Sequence, residues 1–297
     1  MDSSYSPARF GAAALFSILL VLSTTGADAA SFRLTGPTTD TFDDWPTVVA
    51  VDGDFQVAWQ HFDSKGNSSI VTRRFSAVPK PVAAAKQVVA PTTLIGHPRL
   101  LPVRSGKLGL IWLDATLGIA GTTLDTTTGA IAAPKGLTKP SATPYDVARL
   151  SNGNIIAGIG SVDVSNTSNV RVRARVTTAS PTLGVLVKNA ILPGSDNPLT
   201  TPGSADQAVV GDGAGGALAF YRDRTDGRLY VVKVSSTGTP AATRTRVDTT
   251  TMQVGGAAAM SEFGVRAVRL SDGRYAVTWT SIETTDLTRS NLRLRWL

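Results

Sequence analysis

The sequence has no cysteine, two histidines and two glutamates among its 297 residues. Without cysteine there can be no disulfide bond, thiolate nucleophile or lipid attachment to a thiol. His61 and His97 stand in no H-x-H or H-E-x-x-H pattern, so nothing indicates a metal site or a Ser-His-Asp arrangement. We therefore expect neither a metal nor a cofactor.

Long hydrophobic runs are also scarce. The apolar run at residues 10–22 is shorter than the roughly 20 residues that a membrane-spanning helix needs. It follows Arg9 and precedes Ala27 and Ala29, whose small-x-small spacing is typical of a signal-peptidase site. We predict a signal peptide at residues 1–29, one domain at residues 30–297, and a secreted or periplasmic protein without a transmembrane segment. An uncleaved anchor is the alternative.

The net charge of +7 favours anionic partners but does not determine a fold. In "VRVRARV" the side chains of Arg171, Arg173 and Arg175 fall on one face of a strand and could bind an anionic polymer. Solvated or edge-protecting arginines are the alternative. No pattern indicates specific nucleic-acid binding, and glycosylation of Asn67 and Asn166 depends on the secretory route.

What the sequence does contain is a repeat of β-hairpins. Thr, Val, Gly and Ser are abundant, and apolar residues alternate with polar ones, which predicts an all-β chain. In "WPTVVAVDGDFQVAWQHFD" two alternating runs flank Asp52-Gly53, a typical hairpin turn. The same frame starts again at His97, Tyr145, Asp206 and Phe263. The second runs of these five copies end on Trp59, Trp112, Ile159, Phe220 and Trp279, which we expect to pack between neighbouring units.

Each hairpin is followed by a third alternating run, and most copies have a fourth. Four strands per repeat predict a five-bladed β-propeller with four-stranded blades. The last copy lacks a fourth run, and "SFRLTGP" at residues 31–37 is similar to the missing strand. We expect this N-terminal strand to pair in the last blade and close the ring. Two β-sandwich domains joined near residues 192–207 are the alternative.

The frame of Pro, Asp-Gly and a strand ending in Trp resembles the propeller-like repeats of secreted bacterial proteins. Such a resemblance implies the fold but no particular ligand. In propellers, functional residues usually lie where one blade leads into the next, around the central channel. The candidate ligand-binding residues in those segments are Trp45, His97, Arg99, Tyr145, Asp146, Asp206, Gln207 and Phe263. This mixture of aromatic and polar side chains predicts binding of carbohydrate or of another extracellular surface, such as a protein, without catalysis.

The chain also resembles five-bladed glycosidases of the arabinanase and xylosidase type, which place two Asp and one Glu at these positions. That resemblance implies Asp44 as general base, Asp146 as the residue that tunes the acid, and Glu262 as general acid. The chain departs from the pattern because Glu262 belongs to the fifth copy instead of the fourth. A glycoside hydrolase is therefore the alternative function, and a structural envelope or matrix protein is a third.

Overall fold

The structure is a computed structural model, and it describes residues 42–78, 80–92, 95–138, 142–166, 169–198, 207–223, 228–248, 265–283 and 286–297. The predicted signal peptide and the predicted closing strand at residues 31–37 lie outside these residues. Every regular element in the described chain is a β-strand. Correspondingly, this part of the chain contains no helix with the length and apolar character needed to cross a membrane.

The strands in chain order are β1 Phe42–Val51, β2 Asp54–Phe62, β3 Ser68–Phe75, β4 Lys86–Thr92, β5 Ile95–Arg104, β6 Lys107–Asp114, β7 Gly118–Asp125, β8 Lys135–Gly136, β9 Ala142–Arg149, β10 Ile155–Asn166, β11 Asn169–Ala179, β12 Val185–Ile191, β13 Asn197–Pro198, β14 Gln207–Gly211, β15 Ala217–Arg222, β16 Leu229–Val234, β17 Thr245–Arg246, β18 Arg266–Arg269, β19 Tyr275–Glu283 and β20 Asp286–Trp296. They form five antiparallel sheets: β1 to β4, β5 to β8, β9 to β13, β14 to β17, and β18 to β20. Neighbouring strands of each sheet follow one another in the chain, except that β13 pairs with β11. Each predicted repeat thus forms one sheet, and the arrangement excludes a pair of sandwiches.

The hairpin turns have the backbone geometry that their residues favour. Asp52 and Gly53 both have positive φ values, 49° and 82°. A two-residue turn with positive φ at both positions matches the right-handed twist of the flanking strands, and Asp-Gly tolerates it well. The predicted turn between β1 and β2 is therefore confirmed.

The hydrophobic core lies between consecutive sheets. Four clusters of buried side chains join the first sheet to the second, the second to the third, the third to the fourth, and the fourth to the fifth. In each of the last four sheets, one large residue of the second strand packs against the preceding sheet: Trp112, Ile159, Tyr221 and Trp279. Each stands six residues after a glycine with positive φ in its hairpin turn.

The strand register corrects one detail of the predicted repeat, the residue that ends the second run of the fourth copy. Phe220 is buried and packs between sheets as predicted, but it faces the fifth sheet. Its neighbour Tyr221 faces the third sheet and is the counterpart of Trp112 and Trp279. Successive side chains of a strand point to opposite faces, so the one-residue difference changes the partner sheet.

The first strands of the sheets bring their ends together. β1 contacts β5, β5 contacts β9, β9 contacts β14, and β14 contacts β18. All five first strands are followed by a hairpin, so their starts lie at one end of the array and their turns at the other. Residues that begin these strands therefore lie at the same end of the array.

The fifth sheet has two unlike faces. Val277 and Trp279 pack against the fourth sheet, whereas Leu292, Leu294 and Trp296 on the other face are more than half exposed. Within the described residues, β20 pairs with β19 alone. Folded proteins usually cover an edge strand that carries apolar side chains. Residues 31–37, which lie outside the described residues, remain the strand that we predict to cover β20.

Candidate functional site

The candidate site, called the central mouth below, is formed by the starts of β1, β5, β9 and β14. The strand register shifts in three of these strands, between Asp44 and Thr47, between Gly96 and Arg99, and opposite Ile159 and Gly160. A proline stands in each shifted segment: Pro46, Pro98 and Pro144. Proline has no N–H to donate to the ladder, so it is found at such bulges, which redirect side chains.

Trp45 and His97 precede two of these prolines and stack on each other. Their ring centroids are 3.7 Å apart, with 23° between the ring planes. Both residues have positive φ, 46° and 53°, an uncommon conformation for a non-glycine side chain that is concentrated at functional sites. The Trp45 side chain is 38% exposed, so part of its ring remains open to a ligand.

Charged groups flank this stack. Burial lowers the pKa of His97 below its ordinary value of 6.5, the positive charge of Arg99 lowers it further, and Asp44 acts in the opposite direction. A neutral imidazole at pH 7 follows, which suits stacking on an indole. The Asp44 carboxylate also accepts a hydrogen bond from the Trp45 backbone N–H at 2.7 Å. Asp44 and Arg99 therefore form a polar rim around the Trp45–His97 stack.

Tyr145 fixes β9 against the second sheet. Its buried hydroxyl lies within hydrogen-bond distance of the carbonyl oxygens of His97 and, at 3.2 Å, Ile111. Burial raises the pKa of the phenol well above its ordinary value. This contact holds the backbone that carries the His97 ring, which makes Tyr145 a supporting residue of the mouth.

Asp146 lies on the opposite face of β9 and joins the third sheet to the fourth. Its carboxylate accepts a hydrogen bond of 3.0 Å from the Val209 backbone N–H. Burial raises its pKa above 3.8, while that hydrogen bond and the charges of Arg266 and Arg99 act in the opposite direction. Arg266 was not singled out from the sequence, although it stands at the start of β18, the equivalent place in the fifth repeat.

Gln207 is buried between two sheets and does not lie at the exposed rim of the mouth. It is only 4% exposed, and its side-chain amide donates to the Ile159 carbonyl oxygen, which ties the fourth sheet to the third. The other predicted residues of the mouth, Asp206, Glu262 and Phe263, lie outside the described residues. The structure thus gathers Asp44, Trp45, His97, Arg99, Tyr145 and Asp146.

Two features apart from this constellation also bear on function. His61 contacts the Asp43 carboxylate at 2.9 Å. The part of the chain that the structure describes contains no group of three or more His, Asp or Glu side chains that could hold a metal ion.

The predicted arginine strip on β11 is occupied by intramolecular contacts. Arg173 forms two hydrogen bonds to the Asp196 carboxylate, at 2.9 and 3.2 Å, and Arg171 lies 3.8 Å from it. Arg175 donates to Ser161 and to the Asn189 carbonyl. Since these guanidinium groups already have partners, the strip lends no support to a role in anionic-polymer binding.

The sheets and the way they pack define the class of protein as an all-β propeller fold, and comparisons with solved structures agree. A crystal structure of a protein of unknown function from Dyadobacter fermentans matches with a TM-score of 0.53 at 15% identity, covering 88% of this chain and 80% of that one. The α-L-arabinanase of Penicillium chrysogenum, complexed with arabinobiose, matches with a TM-score of 0.51 at 14% identity, covering 84% and 76%. No protein-family model matches the chain, and no curated protein matches it in sequence.

Proposed function

We propose that the protein is an exported β-propeller that binds carbohydrate at its central mouth without catalysis. The observation that most supports this function is the partly exposed Trp45 ring stacked on His97. An aromatic face with a few polar groups beside it suits a sugar, whose C–H groups pack on the ring while its hydroxyls hydrogen-bond to the rim. Asp44 and Arg99 provide an acceptor and a donor at that rim.

The backbone contributes rigidity to this surface. Trp45 and His97 are fixed by positive φ values, by the prolines that follow them and, for His97, by the Tyr145 hydroxyl. A ligand that stacks on a ring already held in place loses less of its binding free energy to ordering the protein. This preorganisation favours a binding surface over an incidental aromatic contact.

A glycan array followed by calorimetric titration tests the proposal. Arabino-oligosaccharides belong among the first probes, because the Penicillium chrysogenum arabinanase of similar fold is complexed with arabinobiose. Trp45→Ala should lower affinity at least about tenfold, as expected for an aromatic anchor. Trp296→Ala is the matched control, because Trp296 is also exposed but lies on the fifth sheet. An array without binding, or an equal loss in both variants, would contradict the proposal.

Glycoside hydrolysis is the second candidate, with Asp44 as base, Asp146 as tuner and Glu262 as acid. The observation that favours it is that both carboxylates lie near the same two residues: the Asp44 charge raises the pKa of His97, and the Arg99 charge, which lowers the pKa of His97, also lowers that of Asp146. Wild-type protein would then release reducing sugar from arabino-oligosaccharides, and Asp44→Asn would stop the release. Binding without release by the wild type decides for the non-catalytic function.

Export rests on the predicted signal peptide. We expect the exported protein to begin at residue 30, and N-terminal sequencing of protein recovered outside the cytoplasm would show this. A chain recovered with residues 1–29 intact would contradict cleavage.

A further inference from the structure

A second candidate site lies at the other end of the first strands, where the hairpin turns begin. A groove of about 420 Å³ is lined there by Arg149, Ser151, Gly211, Gly213 and Arg269, among others. Arg149 ends β9, three residues after Asp146 of the central mouth. At about 3.3 Å per residue, this places the groove roughly 10 Å along the strand from the mouth.

The two arginines reach this groove from sheets that flank the fourth sheet. The strand register pairs Arg149 with Ile155 and Arg269 with Tyr275, each being the last first-strand residue paired before the turn. The equivalent residue of the fourth sheet is Gly211, paired with Ala217. Arg149 and Arg269 therefore both line the groove, on either side of a strand end that has no side chain.

Glycine is required at the floor of the groove because the neighbouring sheets approach the fourth sheet closely there. A Cβ atom on Gly211 would lie 2.8 Å from the Arg149 carbonyl oxygen. A Cβ atom on Gly213 would lie 2.6 Å from the guanidinium carbon of Arg269, which rests against the bare backbone of that turn. Gly213 also has a φ of +82°, a conformation that other residues rarely adopt.

The charge of the two arginines is not neutralised by neighbouring acids. Neither guanidinium group has a hydrogen-bond or ion-pair partner in the described chain, unlike the arginines of β11. The nearby acids are engaged elsewhere: Asp212 accepts from two N–H groups of its own turn, and Asp272 pairs with Arg274. The guanidinium groups of Arg149 and Arg269 are thus planar sets of N–H donors that no carboxylate of the described residues contacts.

We propose that this arginine groove binds a tetrahedral oxyanion, a phosphate or sulfate group. Each guanidinium fork takes two acceptor oxygens. A tetrahedral oxyanion has enough oxygens to satisfy two forks approaching from different sides, whereas a carboxylate satisfies one. The ligand class is therefore a free phosphate or sulfate, or an ester of either, and the site is independent of carbohydrate binding at the central mouth.

Titration calorimetry with inorganic phosphate, sulfate and acetate at constant ionic strength tests the proposal. Phosphate and sulfate should bind, and acetate at least about tenfold more weakly, because it satisfies one fork only. Arg149→Gln and Arg269→Gln should each weaken phosphate binding at least about tenfold. Arg149→Lys keeps the charge but lacks the fork, so it should weaken binding nearly as much.

Arg104→Gln is the matched control, because Arg104 is exposed at the end of β5, has no partner in the described chain, and does not line the groove. Its phosphate affinity should equal that of the wild type. The proposal is overturned if phosphate does not bind at tens of millimolar, if acetate binds equally well, or if Arg104→Gln weakens binding as much as Arg149→Gln. Unchanged affinity in both groove variants would also overturn it.

Discussion

Trp112 offers the sharpest test of how the sheets are held together. Its side chain has no exposed surface and packs in the cluster between the first and second sheets. Replacing it with alanine removes the largest side chain at that interface and leaves a cavity between sheets whose backbones cannot fully collapse. We expect Trp112→Ala to lower the free energy of unfolding by about 3–5 kcal/mol.

A second substitution separates ring packing from polarity. The Trp112 indole N–H is buried without a hydrogen-bond acceptor in the described chain. Trp112→Phe loses volume but also removes this donor, whose burial costs about 1–3 kcal/mol. The two effects oppose each other, so we expect Trp112→Phe to remain within about 1.5 kcal/mol of the wild type.

Urea unfolding followed by far-UV circular dichroism measures both variants, with Val82→Ala as control. Val82 is 54% exposed and lies outside the fifth sheet, so its loss should change the unfolding free energy by less than about 0.5 kcal/mol. The packing argument is refuted if Trp112→Ala stays within about 1 kcal/mol of the wild type. It is equally refuted if Trp112→Phe lowers the unfolding free energy as much as Trp112→Ala does.

Three further predictions concern titration, closure and a turn. The folded state raises the pKa of Asp146 above 3.8, so folding favours its protonated form, and its contribution to stability falls as pH rises from 3.8 towards the raised pKa. In Asp146→Asn, the urea midpoint measured between pH 4 and 7 should no longer show this decrease. A variant with the same pH profile as the wild type would contradict the assignment. Deleting residues 31–37 should lower the unfolding free energy by at least about 2 kcal/mol if they cover the apolar edge strand β20; an unchanged urea midpoint would argue against closure by this strand. Gly53→Ala should destabilise by about 1–2 kcal/mol through backbone strain alone, because φ is +82° and no atom lies within 4 Å of the added methyl; thermal unfolding would show no shift if the turn relaxed freely.

The repeat architecture could be predicted because its signals are local. Alternating strands and glycine turns depend on residues close together in sequence, so each hairpin can be predicted from its own residues. The exception is the fourth repeat, where "GDGAGG" offers several glycines for one turn. Only strand pairing identifies Gly215 as the counterpart of Gly53, which makes Tyr221 and not Phe220 the equivalent of Trp112.

The site was predictable in its location and less so in its contacts. The repeat places Trp45, His97 and Tyr145 at strand starts, so their proximity follows from the fold. Stacking of Trp45 on His97 depends on positive φ at residues preceding proline, which no propensity favours. The inward direction of Gln207 depends on packing between two sheets and therefore could not be derived from either repeat alone.

Carbohydrate binding on the exposed Trp45 ring can be observed directly. The most direct measurement is a crystal structure of the protein soaked with an arabino-oligosaccharide, or with whichever glycan the array identifies. We expect a sugar ring stacked on Trp45, with its hydroxyl groups hydrogen-bonded to Asp44 or Arg99. A sugar bound elsewhere, with nothing against Trp45, would contradict it.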